Sequence, residues 1–236
     1  MYKRQPDWLA RIRGVRAIRL MNWMETNDSP LARLADRPLP GDYTYARRGA
    51  PIEVLVQLAN ELQANPWFCI PHLAEDDLVR LYAQTVHDGL DPALVASVEF
   101  SNEVWNWQFA QAKWAEAQGR ARWGKDNTWV QYYGLRAAEV AGIWAEEFKD
   151  APARLRRIVA VQTGWLGLEQ DILDAPLFVA EGGAPPGASF DAYAVTGYVS
   201  AMLGSDQKAA AVRGWLAQSQ AAAMSSAMAP RSMTRR

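Results

Sequence analysis

An Asn-Glu pair at the end of an apolar segment is the part of the sequence best suited to chemistry. Asn102 and Glu103 follow residues 98–101, and Trp105 and Trp107 come directly after them. A carboxyl at the tip of a buried strand lies in a low-dielectric wall, which tends to raise its pKa and lets it donate a proton near neutral pH. The amide of Asn102 can donate to and accept from a hydroxyl, and indoles offer flat apolar faces. These residue types predict a site that holds a sugar, with Glu103 as proton donor.

The same pair also has a purely structural interpretation. A helix that begins near Val104 would be capped by Asn102 and Glu103, and the two tryptophans would then be ordinary packing residues. The strand before the pair and the indoles after it favour the site over the cap.

The composition is typical of one globular domain with a sizeable core. The chain has 236 residues, 50% of them hydrophobic, and a net charge of -1. Since 25 basic residues are offset by 26 acidic ones, we expect neither nucleic acid nor an anionic membrane as partner. The sequence has no apolar run of about 18 residues, so it predicts no membrane span. The first residues do not have the pattern of a signal peptide. The oligomeric state is not indicated.

The sequence predicts neither a metal nor an organic cofactor. Cys69 is the only cysteine and lies in an apolar run, which is typical of an inert core thiol. The only histidines are His72 and His87, and Asp76 and Asp77 are explained as charges at a helix start. Acid-base chemistry of the kind expected at Glu103 needs only carboxyls and water.

Short apolar runs alternate with longer amphipathic stretches, which predicts a parallel sheet with connecting helices. We expect strands over residues 15–23, 67–71, 95–101, 157–163 and 192–199, and helices over about 104–118, 127–148 and 206–224, with others beginning near 51 and 75. Residues 1–217 form the predicted domain. Residues 218–236 are rich in Ala, Ser and Met, and we expect them to be a disordered tail.

Four segments resemble the (β/α)8-barrel glycoside hydrolases of clan A, and within them the cellulose-binding or glycoside-hydrolase-like group. They are residues 19–27, 66–77, 98–106 and 191–198, each at the carboxyl end of a predicted strand. The resemblance covers roughly residues 15–215. It implies an α/β fold of the TIM-barrel type, incomplete here, with about strands two to six present.

The resemblance also implies roles for single residues. Glu103 would be the general acid/base and Asn102 would bind the sugar, while Arg19 would support the nucleophile. His72 would line the subsite, and Tyr198 would contact the nucleophile. Each of the last three also has an ordinary structural interpretation, as a surface charge, a buried core residue and a packing residue. The resemblance further implies a β-linked polysaccharide as substrate and an extracellular or periplasmic location.

The chain departs from the family's pattern at the second carboxyl. A retaining glycosidase needs two carboxyls about 5 Å apart, and in this clan the second ends strand seven, which has no counterpart here. Glu181 also ends a strand-like segment but precedes the sixth barrel strand. We therefore expect a partial hydrolase domain, inactive without its missing strands.

Two further interpretations stay open. A non-catalytic carbohydrate-binding module could use Trp23, Trp105, Trp107 and Trp165 to stack against sugar rings. A doubly wound open sheet with another function is the third, although no glycine-rich phosphate loop follows any predicted strand.

Overall fold

Five parallel strands form a single sheet whose order follows the chain. The computed structural model describes residues 6–197, 201–215 and 218. The strands are β1 (Ala17–Arg19), β2 (Asn65–Ile70), β3 (Ala96–Phe100), β4 (Leu155–Val161) and β5 (Ala192–Val195). Each pairs with the next in parallel register, and the sheet is curled into a half-barrel.

The predicted (β/α)8 barrel with strands two to six is therefore wrong, although the α/β class is right. Within the described part of the chain, β1 and β5 each pair with one neighbour, so the sheet has two edges and does not close. Closure requires strands that tilt and stagger until the last pairs with the first. The doubly wound alternative is not supported either, because the strand order never reverses and the sheet has no switch point.

Helices connect the strands. They are α1 (Pro6–Ile12), α2 (Ile52–Leu62), α3 (Asp76–Gly89), α4 (Ala110–Trp123), α5 (Trp129–Glu147), α6 (Leu168–Leu173) and α7 (Pro176–Ala180). Short 3-10 turns lie at Leu34–Asp36, Pro152–Arg154, Pro186–Ser189 and Ala201–Gly204. Pro51 is the N-cap of α2, where a proline costs no hydrogen bond, and two aspartates in the first turn of α3 complement the helix dipole.

The core lies between the helices and one face of the sheet. Phe68, Ile70, Val98 and Phe100 alternate with residues of the opposite face and are buried. Removing each such side chain from water stabilises the fold by about 1.5–3 kcal/mol. The longest helix, α5, is fixed to the sheet by the hydroxyl of Tyr133, which donates to the carbonyl of Ala160 and accepts from its N–H, both at 3.2 Å.

The opposite face of the sheet carries the polar residues. Register pairs of parallel strands point the same way, and Arg19 pairs with Trp67 while Cys69 pairs with Glu99. These four side chains therefore share one face. This inner face of the half-barrel is distinct from the face that the helices cover.

Two local predictions differ from the structure. The helix after β3 begins at Ala110 instead of near Val104, because residues 101–109 form turns. The strand-like segment before Glu181 is the short helix α7, since Pro176 at its first position starts a helix and the segment is too short to show a period.

The described residues fall into two compact units. One ends at Thr196, and the other begins at Gly197 and contains a helical stretch over 206–215. The predicted tail lies outside the described residues apart from Gln218. No helix in the described part of the chain has the length and apolar character that crossing a membrane requires.

Candidate functional site

Two loops meet at the carboxyl edge of the sheet. The first, residues 20–28, follows β1 and is fixed to β2, because Thr26 donates its hydroxyl to the carbonyl of Cys69 at 3.1 Å and the sulfur of Met24 accepts from the N–H of Cys69 at 3.4 Å. The second, residues 101–109, follows β3. Carboxyl ends of parallel strands lie at the same edge, which is where α/β sheets place their ligands.

A buried ion pair supports this edge from the inner face. The guanidinium of Arg19 donates to both carboxylate oxygens of Glu99, with the shortest distance 2.8 Å, and lies 5.1 Å above the ring of Trp67. Glu99 is only 1% exposed. Burial raises the pKa of Glu99, and Arg19 opposes that shift. The carboxylate therefore depends on Arg19 to stay ionised.

The same arginine holds Asn102. Its Nη2 donates to Oδ1 of Asn102 at 3.0 Å, and Nδ2 of Asn102 donates to Oδ1 of Asn27 at 3.0 Å. The fully buried amide of Gln111 donates to Asn27 Oδ1 and to the carbonyl of Asn102, both at 2.8 Å, and accepts from the N–H of Asp28 at 3.1 Å. One glutamine thus joins both loops to the start of α4.

The capping interpretation of Asn102 and Glu103 does not match this geometry. The first residue of α4 is Ala110, and its N–H donates to the carboxylate of Asp28 at 2.5 Å. The acceptor at this helix start therefore comes from the loop after β1, more than eighty residues earlier in the chain. Asn102 and Glu103 belong to the turn before the helix.

Strained backbone is concentrated in the two loops. Glu25, Asp28, Ser101 and Glu103 have φ of 48°, 52°, 60° and 44°, in the left-handed region. A non-glycine residue there costs on the order of 1–3 kcal/mol and is usually retained at a site where the conformation serves function. Since Asn27 and Asn102 are hydrogen-bonded, the strained residues lie in segments that contact each other.

Glu103 is held at the end of the central strand. Its carboxylate is half-buried, and its Oε2 accepts from Nδ2 of Asn106 at 3.0 Å. The carbonyl of Glu103 also accepts from the N–H of Asn106 at 2.8 Å, which closes a turn. The carboxylate is therefore oriented by its own loop.

Indoles lie beside this turn, but not both of those predicted to stack on a ligand. Trp105 is 7% exposed and packs edge-on against Tyr133, so it is a core residue. Trp107 is 45% exposed and contacts Trp129. Trp165 lies in the loop after β4, is 43% exposed and also contacts Trp129.

His72 lies at the same edge, after β2. It is buried, its ring meets Trp114 edge-on at 5.6 Å, and its Nδ1 has no hydrogen-bond partner among the described residues. Burial lowers the pKa of His72 to about 4, although nearby Asp28 partly opposes the shift. The imidazole is therefore neutral near pH 7.

The other predicted residues lie elsewhere or cannot be placed. Trp23 stacks on Trp8 at 5.2 Å and lines a cavity of about 170 Å³ against α1 and α2. Glu181 is bound by Arg122, the ion pair being 2.9 Å, next to the end of α4. Tyr198 lies outside the described residues.

Three residues of the site were missed from the sequence. Glu99 had a signal, because it is the one charge in the otherwise apolar or small segment 96–100. Asn27 and Gln111 had none, since their hydrogen bonds join residues far apart in the chain.

No group of three or more metal-ligating side chains is found in the part of the chain that the structure describes. No protein-family model, no curated protein and no solved structure matches this chain. A functional conclusion therefore depends on the chemistry of this edge.

Proposed function

We propose that the carboxyl edge of β1 and β3 binds a β-linked carbohydrate and that Glu103 is the general acid/base for its cleavage. The position of Glu103 carries the proposal: a half-buried carboxylate in a strained turn at the end of the central strand, next to the exposed indole of Trp107. The resemblance to clan A glycoside hydrolases stays a hypothesis that agrees with this assignment.

The chemistry assigned to Glu103 is proton transfer. In its protonated form it donates to the glycosidic oxygen while the bond from that oxygen to the anomeric carbon breaks. In a retaining mechanism a second carboxylate would bond to the anomeric carbon, and water would then displace it and give its proton to Glu103. No carboxylate of the described residues is assigned to that role. Arg19 and Gln111 act through Asn102, which they hold in place beside the carboxylate.

Neither Glu99 nor Glu181 is the second carboxylate. Glu99 is buried and bound by Arg19, and Glu181 is bound by Arg122. This observation favours a second candidate function, a non-catalytic carbohydrate-binding module. In such a module the same edge holds a sugar without cleaving it.

The substitution Glu103→Gln tests the proposal. It keeps the size of the side chain and removes the transferable proton. If the unaltered chain hydrolyses β-1,4-linked gluco-, manno- or xylo-oligosaccharides, we therefore expect Glu103→Gln to reduce the rate at least about a hundredfold. The affinity for these oligosaccharides should stay within about twofold, because binding of the uncleaved substrate does not need that proton. Reducing-end release and isothermal titration calorimetry measure the two quantities.

Glu181→Gln is the matched control and should leave both quantities unchanged. Binding without cleavage by the unaltered chain supports the module instead of the enzyme. If Glu103→Gln cleaves as fast as the unaltered chain, the acid/base assignment is wrong.

A further inference from the structure

We propose that Trp107, Trp129 and Trp165, together with the amide of Gln162, form a second subsite that holds another ring of the sugar chain. This group of three indoles is called the indole platform below. The inference rests on the proposed function and deepens it: the ligand is a chain of β-linked rings instead of a single sugar.

The platform is built from two neighbouring strands. Trp107 follows β3 and Trp165 follows β4, while Trp129 is the first residue of α5 and lies between them. Ring centroids are 5.2 Å apart for Trp107 and Trp129 and 6.1 Å apart for Trp129 and Trp165. The outer two rings are nearly half exposed, whereas Trp129 is almost fully buried. The middle ring therefore supports two ring surfaces that are open to solvent.

The exposed ring surfaces of Trp107 and Trp165 are apolar, and a ligand that covers them removes that surface from water. A hexopyranose with equatorial substituents presents a face of C–H groups, and such a face packs on an aromatic ring as other apolar groups do. The buried Nε1 of Trp129 has no hydrogen-bond partner among the described residues. The indole of Trp129 is therefore held by ring packing instead of by a hydrogen bond of its Nε1.

The polar groups next to Trp165 suit a neutral polyhydroxyl ligand. Oε1 of Gln162 accepts from the N–H of Gly164 at 2.6 Å, and its Nε2 makes no hydrogen bond to the described residues. Thr163 and Thr196 follow β4 and β5 and share a hydrogen bond of 3.0 Å between their hydroxyls. Amide and hydroxyl groups recognise sugar hydroxyls, whereas a phosphate or a carboxylate would call for arginine or lysine.

The platform is continuous with the candidate site. Trp107 belongs to the turn that holds Glu103, through the hydrogen bond from Asn106. Adjacent strands lie about 4.8 Å apart, so the loops after β3 and β4 are neighbours. A chain that places one ring at Glu103 can therefore lay a further ring on the platform.

Chain length is the variable to measure. Isothermal titration of the full chain carrying Glu103→Gln, which prevents cleavage, would use the di- and tetrasaccharide of β-1,4-linked glucose, mannose and xylose. We expect the tetrasaccharide of the preferred sugar to bind about tenfold tighter than its disaccharide. Trp165→Ala and Trp107→Ala should each remove most of that advantage, and Trp165→Phe should keep it. Gln162→Ala should weaken the tetrasaccharide more than the disaccharide.

Tyr43→Ala is the matched control, because Tyr43 is a fully exposed aromatic residue that belongs to neither loop of the candidate site. It should bind both lengths as the parent does, and urea unfolding checks that each variant is folded. Equal affinity for both lengths, or tetrasaccharide affinity unchanged in Trp165→Ala and Trp107→Ala, overturns the platform and leaves the proposed function intact. If no sugar binds at either length, the proposed function fails with it.

Discussion

Arg19 has contacts that no other side chain of the site combines. It neutralises Glu99, orients Asn102 and lies over the ring of Trp67. The thiol of Cys69 lies 3.5 Å from the same carboxylate, and burial keeps the pKa of that thiol well above its ordinary value. The inner face thus contains one buried charge pair, surrounded by groups that stay neutral.

We predict that Glu99→Gln destabilises the protein by about 2 kcal/mol. Removing one partner of a buried pair leaves the other charge uncompensated, which costs about 3–5 kcal/mol when both are fully buried, and Arg19 keeps one third of its side chain in solvent. The substitution should also reduce sugar affinity, because Arg19 would no longer be held against Asn102. Urea unfolding and calorimetry measure these effects.

The matched control is the surface pair Arg33–Asp36, with 3.0 Å between its charged atoms. Asp36→Asn should cost less than about 1 kcal/mol, since exposed pairs contribute little. A cost for Glu99→Gln no larger than that of Asp36→Asn contradicts the importance of the buried pair.

At the scale of elements, α5 is where close packing is most sensitive to a single methyl group. Gly134 lies where α5 approaches α6, and a Cβ there would overlap the carbonyl oxygen of Ile172. Trp129 is the first residue of α5, and α6 directly follows the loop that carries Trp165. This contact therefore connects helix packing with the shape of the indole platform.

Gly134→Ala should destabilise the protein by about 1–3 kcal/mol, because the backbone of α6 must move. Gly142 lies on the same helix with no heavy atom within 4 Å of its Cβ position. Gly142→Ala should therefore stabilise the protein by about 0.5–1 kcal/mol through higher helix propensity. Thermal and urea unfolding of the two variants test opposite signs in one helix, and equal effects would refute the packing argument.

Element type was predictable where the periodicity was strong, and boundaries were not. The five strands and the helices α2, α3 and α5 lie where the sequence predicts them, within a few residues. The start of α4 was misplaced because its acceptor, Asp28, comes from a distant loop and leaves no local signal. The segment of α7 is strand-like in sequence, because five residues are too few to show a helical period.

At the scale of the whole molecule, the sequence could not tell an open half-barrel from a closed barrel. Alternating strands and helices specify a parallel sheet, and polar residues at strand ends specify the edge that carries the site. Neither pattern specifies the strand tilt and the register stagger that are needed to close a sheet into a barrel. The sequence places Asn102 and Glu103 after the strand at residues 95–101, and this placement did not depend on closure, so it holds although the barrel was wrong.

The two histidines of the chain make opposite contributions to the pH dependence of global stability. Burial lowers the pKa of His72 to about 4, so between that value and the unfolded pKa of about 6.5 the unfolded chain binds more protons. The hydrogen bond between His87 and Asp88 raises the pKa of His87, and Asp150 adds to the shift. The contribution of His87 is therefore present below pH 6.5 and is lost as pH rises through its folded pKa.

We predict that wild-type stability falls as pH is lowered from about 6.5 to 4, and that His72→Gln reduces this fall by about 2 kcal/mol. The glutamine keeps a polar side chain but has no proton to take up, so only the slope attributed to His72 should change. His87→Gln is the control: it should leave the slope below pH 6 unchanged and remove the loss that wild type shows above pH 6.5. Urea midpoints measured at half-unit steps from pH 4 to 8 give both slopes. If His72→Gln and wild type have parallel profiles on the acid side, His72 is protonated in the folded protein and is not the neutral group at the carboxyl edge of the sheet.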